Sequence, residues 1–295
     1  MRIPTDWADF EVIDTDGGER LERWGDILLI RPDPQVIWNT GREDPRWGQA
    51  HARYVRSREG GGHWEKRLPT PDAWNVRYGN LCFQVRPMGF KHTGLFPEQA
   101  VNWNFAADLL RRAKAARPGR RLKILNLFAY TGGFTVAAAD PAVEVTHVDA
   151  SRGMVAWAKE NARLSGRADC PIRWLTDDCV KFVDRELRRG NHYDGICMDP
   201  PSYGRGPGGE VWKLEDKIFP LITACEKLLG DDALFFIVNS YTTGLPPSVM
   251  EYMLSAALLR RHGGRVTGDE IGLPVTTTGF TLPCGSTALW TSEET

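Results

Sequence analysis

The 295-residue chain has no apolar run long enough to cross a membrane as a helix. Its longest runs, such as Ala233-Leu234-Phe235-Phe236-Ile237-Val238, are strand-length, whereas a bilayer needs roughly 20 apolar residues. The opening Met1-Arg2-Ile3-Pro4-Thr5-Asp6 has no apolar core of a secretory leader, so a cytoplasmic location is the expectation. The six cysteines (82, 170, 179, 197, 225, 284) include no CxxC pair; neither a zinc site nor a redox motif is signalled, and no metal is expected. GxGxxG and GK[ST] are both missing, which removes the dinucleotide fingerprint and the P-loop. A surplus of one sign is lacking too, since the net charge is −1.

That near-neutral total hides an uneven distribution. Between Arg46 and Lys91 nine Lys/Arg (46, 53, 56, 58, 66, 67, 77, 86, 91) face three acids, and between Arg111 and Lys123 seven basic residues face none. Such local fields can hold a polyanion on a neutral chain; a solvated face is the plainer explanation. Trp47, Tyr54, Trp64, Trp74 and Tyr78 lie among the first group, where they suit either base stacking or the core of a small domain.

Residues 1–90 read as short strands broken by turns: 26–31, 35–38 and 81–85 are strand-like, with Pro32 and Pro34 as punctuation and 58–63 as a loop. A helix starts near Pro97 and buries Val101, Phe105 and Leu109. From Leu122 strands and helices alternate. Strands are expected at 122–127, 144–149, 172–175, 194–199 and 233–239, with helices from about 134, 151–164, 179–189, 215–229 and 247–261. Two further strands, 264–271 and 281–290, lack a long helix between them and are expected to pair antiparallel. The pattern predicts an α/β fold, a doubly wound Rossmann-like seven-stranded sheet over 91–295 behind a small β-rich domain over 1–90.

In open α/β sheets ligands bind beyond the carboxyl ends of the strands. The first strand there runs into Phe128-Ala129-Tyr130-Thr131-Gly132-Gly133, a turn whose glycines let backbone approach a ligand. Asp149 ends the second strand, where a carboxylate can accept from both hydroxyls of a ribose or cap the next helix, as Ser151 could. Asp177-Asp178-Cys179 ends the third; one acid there can accept from an adenine amine, and one can be only a cap. The fourth ends in Asp199-Pro200-Pro201-Ser202-Tyr203, a rigid turn with a carboxylate, carbonyl acceptors and an aromatic face, followed by Gly204-Arg205-Gly206-Pro207-Gly208-Gly209 as a segment able to close over substrate.

With these motifs in order, the chain resembles the class I methyltransferases that use S-adenosylmethionine (SAM), and more closely the bacterial large-subunit rRNA (cytosine-C5) methyltransferase family. His92-Thr93-Gly94-Leu95-Phe96-Pro97-Glu98-Gln99 is similar to the TGxFxDQ segment upstream of the catalytic domain there. The resemblance covers about residues 80–240. It implies a seven-stranded methyltransferase sheet and SAM as cofactor. The cofactor contacts would be Phe128, Ala129, Tyr130, Thr131, Gly132, Gly133, Asp149, Ser151, Asp177, Asp178, Asp199 and Gln99. The target would meet Asp199, Pro200, Pro201 and Tyr203, and the partner would be RNA, rRNA in particular. Two features depart from the family. Its RNA-binding PUA domain is not recognisable in 1–90, so RNA affinity would rest on the basic stretches. A cytosine-C5 reaction needs a thiolate to attack C6, yet 239–243 (Asn-Ser-Tyr-Thr-Thr) has no cysteine. Cys284 is the candidate near a loop and Cys197 lies within a strand; without a nucleophile the acceptor becomes an exocyclic amine or ring nitrogen. Competing readings are a protein or small-molecule methyltransferase, a SAM-fold binding module without chemistry, and an NAD enzyme, the last disfavoured by the missing GxGxxG.

Overall fold

The computed structural model describes residues 1–57, 61–205, 211–242 and 244–292, with the Arg205 side chain excepted. The chain divides into two compact units: Arg2–Gln99 with Gly272–Cys284, and Met1 with Ala100–Ile271 and Gly285–Thr295.

The first unit holds a five-stranded sheet made of β1 (Phe10–Asp16), β2 (Glu19–Trp24), β3 (Ile27–Pro32), β4 (Ala52–Arg56) and β5 (Gly62–Lys66), in sequence order. A separate hairpin pairs β6 (Trp74–Tyr78) with β7 (Leu81–Val85). Ile13, Leu21, Ile30, Trp47 and Ala50 form a core cluster on the five-stranded sheet. No strand forms at 35–38; Asp33 Oδ1 accepts from Gln35 N and its carbonyl from Val36 N, so the Asp-Pro step closes a turn instead. The aromatics set among the basic residues are largely internal. Trp47, Tyr54 and Tyr78 are buried, and the half-buried Trp64 and Trp74 spend their indole N–H groups on the Met88 and Trp24 carbonyls, at 2.8 and 2.9 Å. As stacking platforms for a base these five are therefore spent on the core. The described part of the 58–63 loop begins at Gly61.

In the second unit, helix α1 (Ala100–Ala116) follows one 3-10 turn at Pro97–Gln99. Then come β8 (Leu122–Leu127), α2 (Gly133–Ala138), β9 (Val143–Asp149), α3 (Arg152–Leu164), β10 (Ile172–Thr176), α4 (Cys179–Arg189) and β11 (Gly195–Met198). A short hairpin of β12 (Tyr203–Arg205) and β13 (Val211–Lys213) leads into α5 (Leu214–Glu226), β14 (Phe235–Ser240), α6 (Pro247–His262), β15 (Arg265–Pro274) and β16 (Thr281–Thr291). The seven-stranded order is β10-β9-β8-β11-β14-β16-β15. All pairings from β10 to β14 are parallel, and β16 joins β14 antiparallel. This is the doubly wound sheet the alternating pattern predicts. Its inner strands β11 and β14 are buried at every residue, as expected where helices cover both faces.

The order in which strands are added reverses between parallel β8 and β11: β8 continues outward to β9 and β10, whereas β11 leads the other way to β14. That switch point leaves a crevice beyond the two carboxyl ends, which is where the Phe128 turn and the Asp199 turn emerge.

Candidate active site

The turn after β8 is held in a costly backbone shape. Phe128 and Tyr130 have φ of 53° and 51°, a region in which side-chain-bearing residues are strained, each by roughly 1–3 kcal/mol. The surroundings over-determine it. Phe128 N donates to Cys179 Sγ at 3.2 Å, Ala129 N to the Val148 carbonyl at 3.0 Å, and Tyr130 N to Asp149 Oδ2 at 2.8 Å. The Thr131 carbonyl accepts from Asn161 Nδ2 at 2.9 Å. Both glycines are demanded by close packing, and Gly132 by its φ as well. A Cβ at Gly132 (φ 81°) would sit 2.8 Å from the Ala158 Cβ, and one at Gly133 2.7 Å from the Trp103 ring. Gly132 therefore caps α2 with the helix seated directly against α3 and α1.

Beneath the turn lies a buried polar chain that sequence reasoning missed. Asn126 Nδ2 donates to Thr135 Oγ1 at 2.9 Å, and Thr135 Oγ1 lies 2.9 Å from His147 Nδ1. Burial pushes His147 down to about 3, so the imidazole is neutral and its role is to brace the strand ends. Its local signal is a polar residue inside an apolar strand, Asn126 in β8 and His147 in β9, whereas Thr135 comes from α2.

Asp149, half-buried at the end of β9, accepts from Tyr130 N and from Ser151 N, each at 2.8 Å, one per carboxylate oxygen. Each oxygen keeps a second lone pair for a ligand hydroxyl. Burial raises its pKa above the usual carboxylate value, and the two backbone donors oppose that shift. Ser151 is exposed and caps α3, accepting from Met154 N at 3.4 Å. The two acids after β10 have divided tasks: Asp178 is the cap of α4, accepting from Lys181 N at 2.9 Å, while Asp177 accepts from Asp178 N and pairs with Arg185. Cys179 contributes its thiol as a prop for Phe128, and burial pushes that thiol well up, so it stays protonated.

The acceptor turn after β11 starts at half-buried Asp199, whose N–H reaches the Leu127 carbonyl at 3.4 Å, so both turns share the end of β8. Pro200 is buried, Pro201 exposed, and Tyr203 is 52 % exposed at the start of β12. One sequence expectation needs correcting here. The Pro-Pro carbonyls are not both open acceptors, because Trp212 Nε1 donates to the Pro201 carbonyl at 2.6 Å. The Trp212 ring also meets the Phe128 ring at 5.4 Å between centroids, so one indole touches both turns. On the other side Thr242 Oγ1 donates to Ser202 Oγ at 2.6 Å, and Leu214 N to the Ser202 carbonyl at 3.1 Å. Trp212 and Thr242 escaped the sequence reading because nothing in their local pattern marks them; Trp212 reaches the turn through the β12–β13 hairpin and Thr242 from the end of the neighbouring parallel strand β14. Of the Gly204–Gly209 segment, residues 206–209 lie outside the described residues, as does Thr243.

Gln99 and Cys284 lie in the other compact unit, Gln99 buried and Cys284 half-buried in β16. The Cys284 thiol donates to the Leu282 carbonyl at 3.5 Å, and burial pushes it well above the usual thiol range, the protonated form rather than an attacking thiolate. Cys197 is buried within β11, its thiol also raised by burial. Five of the seven cations at 111–123 are ion-paired: Arg111 and Arg112 with Asp108 one turn earlier in α1, and the others with acids distant in sequence, Lys114 with Asp140 (2.6 Å), Arg117 with Asp232 (2.8 Å), and Arg120 with Asp194 and Asp232. The stretch flanks Leu122, which opens β8, the end of the sheet opposite the Phe128 turn. As a polyanion surface it is therefore ruled down by ion pairing.

The family model of S-adenosylmethionine-dependent methyltransferases matches residues 52–244. A SAM-dependent methyltransferase structure from Agrobacterium tumefaciens is 34% identical, superposes with a TM-score of 0.91, and covers 99% of this chain and 93% of that one. Curated relatives include the ribosomal RNA large subunit methyltransferase K/L of Shewanella sp. (strain MR-4), 33% identical over 61% of this chain and 23% of its own length. Another is the ribosomal RNA large subunit methyltransferase K of Neisseria meningitidis serogroup B, 30% identical over 60% of this chain and 48% of its own. The chain thus matches a quarter to a half of the length of these two curated relatives. Among the described residues no helix is long and apolar enough to cross a membrane. With a doubly wound sheet, a strained first turn and an acid ending the second strand, the chain belongs to the S-adenosylmethionine-dependent methyltransferases.

Proposed function

We propose that the chain methylates a nitrogen of a base in RNA, rRNA being the substrate class that the curated relatives' names specify. The observation that carries this is the shared crevice: Asp149 and the Phe128–Gly133 turn open beside Asp199-Pro200-Pro201, with Trp212 touching both. The donor set fits the cofactor. A half-buried carboxylate with spare lone pairs suits the two ribose hydroxyls, Asp177 the adenine amine, and the strained turn with Asp199 the methionine end. Ser151 is assigned to the same cofactor in this reading. SAM, when bound, supplies a methyl group on a positively charged sulfur.

The chain's own part is alignment. The Asp199 carboxylate and the Pro200 carbonyl, which accepts no hydrogen bond among the described residues, would take the N–H groups of an exocyclic amine and aim its lone pair. An N–C bond would form as the methyl's bond to the sulfonium sulfur breaks, leaving a neutral thioether; the amine would shed one proton, and Asp199 is the acceptor at hand, whereas a ring nitrogen that carries no hydrogen needs no such transfer. Tyr203, exposed, offers its face to the base. The domain reading follows: 91–295 for transfer, and 1–90 for holding RNA. Cytosine-C5 is the weaker acceptor in this reading. Residues 239–242 contain no cysteine, and Cys284 is held as a thiol.

Nucleoside mass spectrometry of total RNA from a deletion strain is the test. Loss of one N-methylated nucleoside is expected; loss of 5-methylcytidine would move the acceptor to carbon. An unchanged nucleoside profile, with purified protein labelling a protein or metabolite fraction, would replace RNA by the protein or small-molecule reading.

A further inference from the structure

At the carboxyl end of β14 a buried carboxamide uses only one of its two ends. Asn239 and Thr287 stand directly opposite each other across β14 and β16, and both are buried. Asn102, fully buried on α1, donates through Nδ2 to Asn239 Oδ1 at 2.9 Å and to Thr287 Oγ1 at 3.3 Å. That contact turns the Asn239 oxygen toward α1. Its Nδ2 takes no partner among the described residues. Nor is this nitrogen sealed in, as the orphaned Nε2 of His147 is. Asn239 is only 1 % exposed, so the little of it that stays open includes the amine. Bracing β14 against α1 explains the oxygen and not the amine, since a buried N–H costs stability unless an acceptor meets it.

Strand register says what the amine stands beside. Asn126, Cys197 and Ile237 are lateral partners across β8, β11 and β14, so their side chains share one face of the sheet. It is the face on which Asn126 reaches Thr135 of α2. Two residues further along each strand the same face returns. There it carries Asn239 in β14 and Asp199 just beyond β11, where the Asp199 N–H to the Leu127 carbonyl extends the ladder by one step. Adjacent strands lie roughly 4.8 Å apart. A carboxylate that accepts and an amide that donates therefore stand side by side at the crevice. Together they match a base edge with an amine next to a ring nitrogen that carries no hydrogen, as in adenine or cytosine.

We infer that Asn239 is a specificity-determining residue of the acceptor site, donating from Nδ2 to the bare ring nitrogen beside the amine that Asp199 takes. With its lone pair occupied in this way, that ring nitrogen is not methylated, and the amine is left as the acceptor. This rests on the RNA reading above and narrows it from any base nitrogen to an exocyclic amine.

The test uses the full chain, methyl-labelled SAM and RNA from a deletion strain. Asn239→Asp keeps the oxygen that Asn102 requires and replaces the donor by an acceptor. It should lower kcat/KM for RNA about a hundredfold, with SAM affinity and the melting temperature largely unmoved. Asn239→Ala removes the donor without adding a charge and should lower kcat/KM about tenfold. An unchanged kcat/KM in Asn239→Asp overturns the inference. A loss of SAM affinity of the same size also overturns it, because the amine would then face the cofactor. The wild-type product is a second reading that needs no variant: a methyl on an exocyclic amine supports the inference, and one on a ring nitrogen or a carbon overturns it. If wild-type protein binds SAM but labels no RNA, the RNA reading falls by itself. Asn239→Asp is then assayed on the protein or metabolite fraction that is labelled. A lower kcat/KM with SAM affinity kept supports the acceptor contact; no change overturns it.

Discussion

The two turns that frame the crevice are built on different principles. The Phe128–Gly133 turn is tied down from every side: Cys179, Val148, Asp149 and Asn161 all bond to it, and two glycines are locked by packing. The Asp199–Tyr203 turn is also tied, through the Leu127 carbonyl, Leu214 N, the indole of Trp212 and the hydroxyl of Thr242, but it has no residue at positive φ and it ends in an exposed tyrosine. The strained, packed turn suits a cofactor that is the same at every turnover. The unstrained one, open at Tyr203, suits an acceptor that must enter, be oriented and leave. Strain is affordable in the first because the fold over-determines it.

The sharpest break of this comparison is at Asp149. Asp149→Ala should cut SAM affinity about a hundredfold by calorimetry, the loss of charge-assisted bonds worth about 1.5–3 kcal/mol each, and should also loosen the turn through Tyr130 N. The wild-type affinity carries a matching pH dependence. Burial raises the folded pKa of Asp149, and the acceptor form is the carboxylate. SAM binding should therefore be full above that raised pKa and weaken as pH falls through it; a flat profile would remove Asp149 from the ribose.

Next in size, Gly132→Ala puts a Cβ against Ala158 at positive φ and should lower stability by about 1–3 kcal/mol, read as a lower midpoint in urea; an unchanged midpoint would show that the first turn yields as readily as the second. Trp212→Phe keeps a ring beside Phe128 but removes the bond to the Pro201 carbonyl. A net bond of about 1 kcal/mol puts the expected fall in kcat at about fivefold, with SAM affinity unmoved. A matching loss of SAM affinity would mean that the two turns are one unit. The smallest effect is expected for Thr242→Val, about threefold in kcat, from the bond to Ser202.

How legible each turn was follows from the same contrast. Gly132, Gly133 and Asp149 are local to strand ends, and strand ends are set by apolar runs whose length and spacing can be read directly; β8 and α4 fall at 122–127 and 179–189 as the pattern predicts. Asp177 and Asp178 could be narrowed only when the cap of α4 was seen to be Asp178. The occupied Pro201 carbonyl could not be anticipated, since its donor arrives from a hairpin eleven residues later. The basic stretch at 111–123 misled for a similar reason: Asp140, Asp194 and Asp232 are far along the chain and meet those cations only after folding.

By itself the sequence determined the alternation of strands and helices, and with it the sheet, the switch point and the glycine turn, because hydrophobic periodicity and turn chemistry act between near neighbours. Tertiary structure alone decided which charges are paired, which carbonyl stays open and which thiols stay protonated. Those properties depend on burial and on partners brought together across the chain, and a Coulomb or hydrogen-bond energy is set by distance in space.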